Sequence, residues 1–184
     1  MTRLLVIDPA QATPQVRKLM DQVRLQLGMV PNIVRTMAAS PAALEGYLAL
    51  GAALGHGVLS PRLREQIALV VAEQNGCGYC LAAHTALGKK LGLSEAELSA
   101  SRRAQSSSAR DQAALVLARQ IVESRGAISD GDLRRARDAG LGDAEIGEVV
   151  GHVAINVFTN YFNQLADTEI DFPKVEPATV GAHS

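Results

Sequence analysis

The sequence predicts an all-α fold. Its 184 residues are 47% hydrophobic but only 3% aromatic, so the core must be built mainly from Ala, Leu, Val and Ile, which is typical of packed helices. Apolar residues recur at helical spacing along most of the chain. We expect a single helical domain over residues 1–172 and a mobile, Pro- and Gly-containing tail over residues 173–184.

The first half of the chain contains five predicted helices, each bounded by residues that begin or stop helices. They are an amphipathic helix ended by Gly28, a short helix after Pro31, one between Ser40-Pro41 and Gly55, one between Ser60-Pro61 and Asn75-Gly76, and one that begins at Cys77. The last two form a predicted hairpin over about residues 59–92.

The second helical half extends over about residues 110–167, after a polar loop at 102–110. Its predicted helices are one at 113–124, one introduced by Ser129, and a long apolar one from about residue 143 to 167. The long helix carries Asn156, Asn160 and Asn163 at helical spacings, which indicates interhelical or intersubunit hydrogen bonds because buried amides must be satisfied. His152 in the same helix is either a core histidine with one hydrogen-bond partner or a site residue.

A shift of 83 positions superimposes the hairpin on the long helix. It pairs Glu65 with Glu148, Cys77 with Asn160, Cys80 with Asn163 and His84 with Asp167. A faded internal repeat would produce this match. Short helical matches also arise by chance, so both explanations stay open.

Composition and charge restrict the class of partner. The net charge is -1, so neither nucleic acid nor an anionic membrane surface is an expected partner. No apolar run approaches the roughly twenty residues that span a bilayer, and the run from Leu4 to Ile7 is too short for a signal sequence. We therefore expect a cytoplasmic protein, in which two cysteines three residues apart indicate a catalytic or metal-binding pair.

Four reactive side chains lie within twenty residues: Glu65, Cys77, Cys80 and His84. The Cys-x-x-Cys spacing places both sulfurs on one helix face, with His84 one turn beyond Cys80. Because the thiolate is the nucleophile and a free thiol has a pKa of about 8.5, His84 is expected to accept the proton of Cys80 or to stabilise its thiolate. This group is predicted to be a redox thiol pair with its own base.

The two thiols are not expected to be equivalent. Cys77 should lie at the open end of the helix and Cys80 deeper, and the helix N-terminus should lower the pKa of both. The helix dipole alone favours Cys77 as the nucleophile, whereas the proximity of His84 favours Cys80. We favour attack by Cys80, with Cys77 as the resolving thiol.

Glu65 is predicted to lie on a buried helix face beside Ala68, Leu69 and Ala72. A buried carboxylate requires a partner, and a histidine across the hairpin could be that partner. The hydrogen bond between them would also fix the tautomer of the histidine. The alternative is an exposed acid in the first helical turn that interacts only with the helix dipole.

The pattern Glu65, Cys77-Gly78-Tyr79-Cys80, His84 resembles the core motif of the alkylhydroperoxidase D-like proteins of the carboxymuconolactone decarboxylase superfamily. The stretch NVFTNYFNQLADTEIDFP is similar to the peroxidase-related branch. The resemblance implies an alkylhydroperoxidase D-like helical bundle, reduction of hydroperoxides, Cys80 as the peroxidatic thiol, Cys77 as the resolving thiol, and a proton relay of His84 and Glu65. Tyr79 departs from the pattern, because characterised members carry a histidine there, and tyrosine does not titrate near neutral pH.

The resemblance also implies a thioredoxin-like or lipoylated protein as the reductant and a homo-oligomer, trimeric or hexameric. No flavin or nicotinamide motif is visible, so no bound cofactor is expected. Three rival functions remain: a zinc site formed by Cys77, Cys80, His84 and Glu65, which lacks the usual second ligand pair; a thiol-disulfide oxidoreductase or redox adaptor without peroxidase activity; and a non-enzymatic helical interaction protein.

Overall fold

Capping side chains divide the chain into its helical segments. The computed structural model describes residues 2–178, in which a short 3-10 helix, Pro9–Gln11, precedes nine α-helices. These are α1 (Pro14–Leu27), α2 (Asn32–Met37), α3 (Pro41–Gly55), α4 (Pro61–Gln74), α5 (Gly78–Lys90), α6 (Glu95–Arg102), α7 (Ala109–Ser124), α8 (Asp130–Asp138) and α9 (Asp143–Ala166). The predicted all-α fold is confirmed.

The predicted caps are present at the helices that carry the thiol motif and its neighbours. The Ser40 and Ser60 hydroxyls accept hydrogen bonds from the backbone N–H groups of Ala43 and Leu63 and begin α3 and α4. Between α4 and α5, Gly76 adopts a φ of +64°, a left-handed conformation that glycine takes without steric cost. The break therefore turns the chain from α4 into α5 where the Asn75-Gly76 pair predicts it.

Some boundaries differ from the predicted ones. Helix α7 begins at Ala109, four residues earlier than expected, because the Ser108 hydroxyl caps it by accepting from the N–H of Asp111. The predicted polar loop therefore extends only from residue 103 to 108. Helix α5 begins at Gly78 with Cys77 as its N-cap, so the expectation that Cys77 is the first helical residue is wrong by one position.

Helix α4 lies at the centre of the bundle and packs against α5, α6, α7 and α9. Its residues 66–73 are all buried, because apolar neighbours surround this helix on several sides. Leu69 and Ala72 belong to an apolar cluster that includes both cysteines, whereas Ile67 and Val70 belong to a second cluster shared with α7 and α9. The thiol motif is thereby attached to the most buried helix of the fold.

The C-terminal segment covers the beginning of α5. Ile170, Phe172 and Val175 pack against the cluster that contains the cysteines. The backbone N–H of Ala178 donates to Glu73 Oε1 over 2.7 Å. Mobility of residues 173–184 stays a prediction, and residues 179–184 lie outside the described range. None of the described helices is both long and apolar enough to cross a lipid bilayer.

Candidate active site

The α4–α5 hairpin brings Glu65 and His84 into direct contact. His84 Nδ1 lies 2.7 Å from Glu65 Oε2, and the two side chains are only 22% and 19% exposed. The predicted partnership is confirmed, and the alternative of a fully exposed Glu65 is wrong. Because the carboxylate occupies Nδ1, Nε2 is the ring nitrogen left to exchange a proton with a thiol or a substrate.

The charge on Glu65 governs the protonation of His84. Burial by itself would lower the pKa of His84, but the negative charge of Glu65 and the hydrogen bond to it raise that pKa above its ordinary value. His84 therefore holds a proton more readily than a free imidazole does. It can stabilise a neighbouring thiolate and later return the proton to a leaving group.

The two sulfurs lie at the N-terminus of α5. Their Sγ atoms are 2.7 Å apart, and Cys77 Sγ accepts a hydrogen bond from the backbone N–H of Cys80 over 3.3 Å. Both cysteines are free thiols in this structure. A Cys-x-x-Cys pair in such contact can form an intramolecular disulfide with little movement of the helix.

Burial would raise the pKa of Cys80, but four other effects outweigh it and lower that pKa to about 7. These are the hydrogen bond from Cys77, the attraction of His84, the hydrogen bond from Asn163, and the side-chain amide of Asn160 nearby. The pKa of Cys77 is raised, first because its thiol donates to the Cys80 sulfur and second because it is buried. The expectation that both thiols are acidified is therefore wrong for Cys77.

Two asparagines of α9 reach the thiol region from the second half of the chain. Asn163 Nδ2 donates to Cys80 Sγ over 3.3 Å, and Asn160 Oδ1 accepts from Asn75 Nδ2 over 2.9 Å. The prediction of interhelical bonds is confirmed for both. The amide of Asn156 instead donates to the carbonyl of His152 within α9, and the intersubunit alternative stays a prediction for this residue. Sequence reasoning did not assign Asn163 to the thiol site, and the 83-residue match with Cys80 was its one signal.

A cavity of about 830 Å³ opens beside the thiols, and Cys80, His84 and Glu65 line it. Cys77 is 1% exposed and does not line the cavity, whereas Cys80, 3% exposed, does. The expectation that Cys77 lies at the open end is therefore wrong. The C-terminal segment packs in the cluster that contains Cys77, so an electrophile in the cavity meets Cys80.

Tyr47 is a further cavity residue, which the sequence analysis did not assign to the site. Burial, followed by the negative charges of Cys80 and Glu65, raises its pKa to about 12. The phenol accordingly stays protonated at neutral pH. It is available as a hydrogen-bond donor inside the cavity.

Tyr79 has a structural role at the position where the family pattern has a histidine. Its hydroxyl donates to Asp171 Oδ1 over 2.8 Å and accepts from the backbone N–H of Ile33 over 3.2 Å. Its ring packs edge-on against Phe172, with ring centroids 5.9 Å apart. Burial raises the pKa of Tyr79. The residue therefore ties α5 to α2 and to the C-terminal segment, and its proton stays in place.

The described residues contain no group of three His, Cys, Asp or Glu side chains placed to hold a metal ion. Within the thiol motif, His84 Nδ1 is occupied by Glu65 and Cys77 is turned toward Cys80. The arrangement suits proton transfer and disulfide formation between neighbouring thiols.

Part of the chain, including the thiol motif, matches the sequence model of a known protein family. The carboxymuconolactone decarboxylase family model matches residues 41–124, which include all four predicted site residues. No curated protein is significantly similar to the chain.

Solved structures share the fold over nearly the whole chain. The alkylhydroperoxidase AhpD core of an uncharacterized peroxidase-related protein from Ralstonia eutropha JMP134 superimposes with a TM-score of 0.82 at 22% identity, covering 92% of both chains. An uncharacterized peroxidase-related protein from Silicibacter sp. TM1040 gives 0.78 at 26% identity, covering 92% of this chain and 94% of its own. The debrominase Bmp8, as a cysteine-to-alanine variant with 2,3,4-tribromopyrrole, gives 0.80 at 19% identity, covering 93% and 92%. Similar folds therefore occur in proteins described by different activities.

Proposed function

Because the chain belongs to the carboxymuconolactone decarboxylase superfamily, in its alkylhydroperoxidase D-like, peroxidase-related branch, we propose that it is a thiol-dependent peroxidase. It reduces hydroperoxides through the Cys77/Cys80 pair. The observation that carries this proposal is Cys80 itself: a cavity-lining thiol whose pKa is lowered to about 7, beside a histidine held by Glu65.

The first step oxidises Cys80. Its proton passes to His84, and the thiolate attacks the terminal oxygen of the hydroperoxide, breaking the O–O bond. Cys80 becomes a sulfenic acid, and the departing alkoxide takes the proton from His84 and leaves as the alcohol. Glu65 stabilises the imidazolium that exists between the two proton transfers.

The second step forms the disulfide. Cys77 keeps its proton because its pKa is raised, and it lies next to Cys80, with the sulfurs 2.7 Å apart. Its sulfur attacks the sulfenic acid, and one molecule of water leaves as the Cys77–Cys80 disulfide forms. An external dithiol restores both thiols by exchange, and is itself oxidised to a disulfide.

The reductant is a thioredoxin-like or lipoylated protein in this proposal. Cys77 and Cys80 are only 1% and 3% exposed, so a slender dithiol arm that enters the cavity suits the site better than a flat protein surface. Two free cysteines in contact also suit a reducing compartment such as the cytoplasm.

A homo-oligomer, trimeric or hexameric, completes the proposal. Helix α9 exposes Val150, Phe158, Tyr161 and Leu165, which are 49%, 41%, 59% and 62% exposed. Contiguous exposed apolar residues are typical of protein interfaces. Packing of α9 between subunits would cover these side chains.

The decisive experiment mixes fully reduced, metal-free protein with cumene hydroperoxide. We expect consumption of one peroxide per protein and loss of two hydrogen atoms, mapped by mass spectrometry to Cys77 and Cys80. In Cys77→Ser, the matched control, the sulfenic acid should persist and react with dimedone. Thiols that stay reduced in peroxide but exchange with a small disulfide would favour the alternative, a thiol-disulfide oxidoreductase or redox adaptor.

A further inference from the structure

The cavity has a polar region away from the thiols, formed by Arg64 of α4 and His152 of α9. His152 precedes Asn163 by eleven residues in the unbroken helix α9. At about 1.5 Å per residue this separation is roughly 16 Å along the helix axis. Asn163 contacts Cys80, so the cavity wall extends from the reactive sulfur to a second polar group.

Both residues have buried nitrogen atoms without a hydrogen-bond partner in the part of the chain that the structure describes. The Nη1 atom of Arg64 donates to the carbonyls of Leu54 and Gly55, over 3.2 and 2.6 Å, whereas its buried Nε has no partner. His152 is 8% exposed, and its buried Nε2 also lacks a partner. Leaving such groups unsatisfied is unfavourable, so an acceptor that binds to them would be stabilised.

We propose that Arg64 and His152 bind a carboxylate of the substrate, which makes the preferred substrates hydroperoxides of carboxylic acids. This assignment rests on the proposed peroxidase function for the reaction, but the carboxylate subsite itself does not depend on turnover. The Nε–Nη2 edge of an arginine matches a carboxylate with two parallel hydrogen bonds. His152 adds a third donor when Nε2 carries the proton.

The nearby carboxylates form their hydrogen bonds with other groups, while Glu148 also acts electrostatically on Arg64 and His152. Glu65 is bound to His84. Glu148 accepts from the backbone N–H groups of Val58 and Leu59, over 2.7 and 2.9 Å, and does not line the cavity. Burial and the positive charge of Arg64 lower the pKa of His152, so at neutral pH Arg64 is the cation of this subsite.

Apolar side chains suit the body of such a substrate. Leu48, Leu87, Leu91 and Ile155 line the same cavity. An aliphatic chain would bury its apolar surface against them, which is favourable because that surface leaves water. The cavity wall along α9, roughly 16 Å from His152 to Asn163, is long enough for a medium-length acid with its hydroperoxide at the end remote from the carboxylate.

The turnover test compares 12-hydroperoxydodecanoate with its methyl ester. We expect wild-type kcat/KM to favour the acid by about tenfold or more, chiefly through KM, as a charge-assisted hydrogen bond predicts. Arg64→Gln should remove most of this preference, so that acid and ester react with similar kcat/KM. His152→Leu should reduce the preference for the acid without disturbing the Arg64 bonds to α3. Arg119→Gln is the matched control: it removes the same charge from α7, outside the cavity lining, and should keep the preference for the acid. Equal kcat/KM for acid and ester in the wild type would overturn the subsite.

A binding test separates the subsite from the reaction. Isothermal titration calorimetry with dodecanoate, which carries no peroxide, should show binding to the wild type and at least about tenfold weaker binding to Arg64→Gln. Dodecanoate binding without consumption of any peroxide would support the subsite and refute the peroxidase proposal. Consumption of cumene hydroperoxide without dodecanoate binding or acid preference would refute the subsite and leave the peroxidase proposal intact.

Discussion

The α4–α5 hairpin and helix α9 meet at the thiols but carry different chemistry. Cys77 and Cys80 lie on the hairpin, and the residues 83 positions later, Asn160 and Asn163, lie on α9. Asn163 donates directly to the Cys80 sulfur. The hairpin therefore supplies the groups that gain and lose protons. Helix α9 supplies neutral amides, which stabilise the negative charge on the sulfur without competing for the proton.

The two glutamates of this comparison have also diverged in role. Glu65 contacts His84 in the cavity wall, whereas Glu148 caps backbone N–H groups in the connection between α3 and α4. The same side chain thus tunes a base in one region and stabilises a loop in the other. The group that each glutamate contacts decides which of these two roles it has.

The backbone differs as well. Gly76 breaks the chain between α4 and α5, whereas Thr159, 83 positions later, lies inside the unbroken α9. The hairpin is therefore not repeated as a structure. The unbroken helix α9 presents Asn163 to Cys80 and His152 to the cavity.

The largest contrast between the two regions should appear on removal of the nucleophile. Cys80→Ser should lower peroxide consumption by about a thousandfold or more and abolish trapping of a sulfenic acid, because the reacting sulfur is gone. Asn163→Ala, which removes only a donor to that sulfur, should cost about threefold to tenfold. Stopped-flow measurement of peroxide loss tests both variants, and full activity in Cys80→Ser would refute its role.

A charge introduced from α9 should change the acidity of the thiol. The pKa of Cys80 is lowered to about 7, so its alkylation by iodoacetamide should increase as pH rises through 7 and level off above it. In Asn163→Asp a carboxylate faces the thiolate, and the midpoint should rise by about one to two pH units. The rate at pH 7 should fall about tenfold, and an unchanged midpoint would contradict the stabilising role of α9.

The paired glutamates allow a matched exchange. Glu65→Gln removes the charge that raises the pKa of His84, so that pKa should fall and the peroxidase rate at pH 7 should drop about threefold to tenfold. NMR titration of His84 and initial rates would measure the two effects. In contrast, Glu148→Gln should leave the His84 titration unchanged and cost about 1 kcal/mol of unfolding free energy through its backbone hydrogen bonds. Equal effects of both variants on His84 would count against this distinction.

Tyr79→Phe should have the smallest effect on the thiols. It removes the hydrogen bonds to Asp171 and Ile33, so urea denaturation should show a loss of about 1 to 3 kcal/mol in unfolding free energy. The alkylation midpoint of Cys80 should stay where it is in the wild type. A shifted midpoint would show that Tyr79 belongs to the proton relay after all.

Much of the site could be predicted from short sequence spacings. The Ser60 cap and the Asn75-Gly76 break define α4 and the turn into α5, which together bring Glu65 to His84. The position of Cys77 as a helix cap was missed by one residue because helix ends depend on local hydrogen bonds that a motif does not specify. The involvement of Asn163 could not be derived, since it lies 83 residues after Cys80 in the chain.

The sequence by itself determined the helices and the reactive residue types, because caps, glycine breaks and apolar periodicity act over a few residues. Only the tertiary structure decided that Cys80 is the acidic thiol and that Cys77 is covered. A pKa depends on burial and on charges and donors that act through space, and here Asn160 and Asn163 come from a helix some eighty residues away. The same packing placed Arg64 and His152 at one cavity, where we propose that they bind a carboxylate.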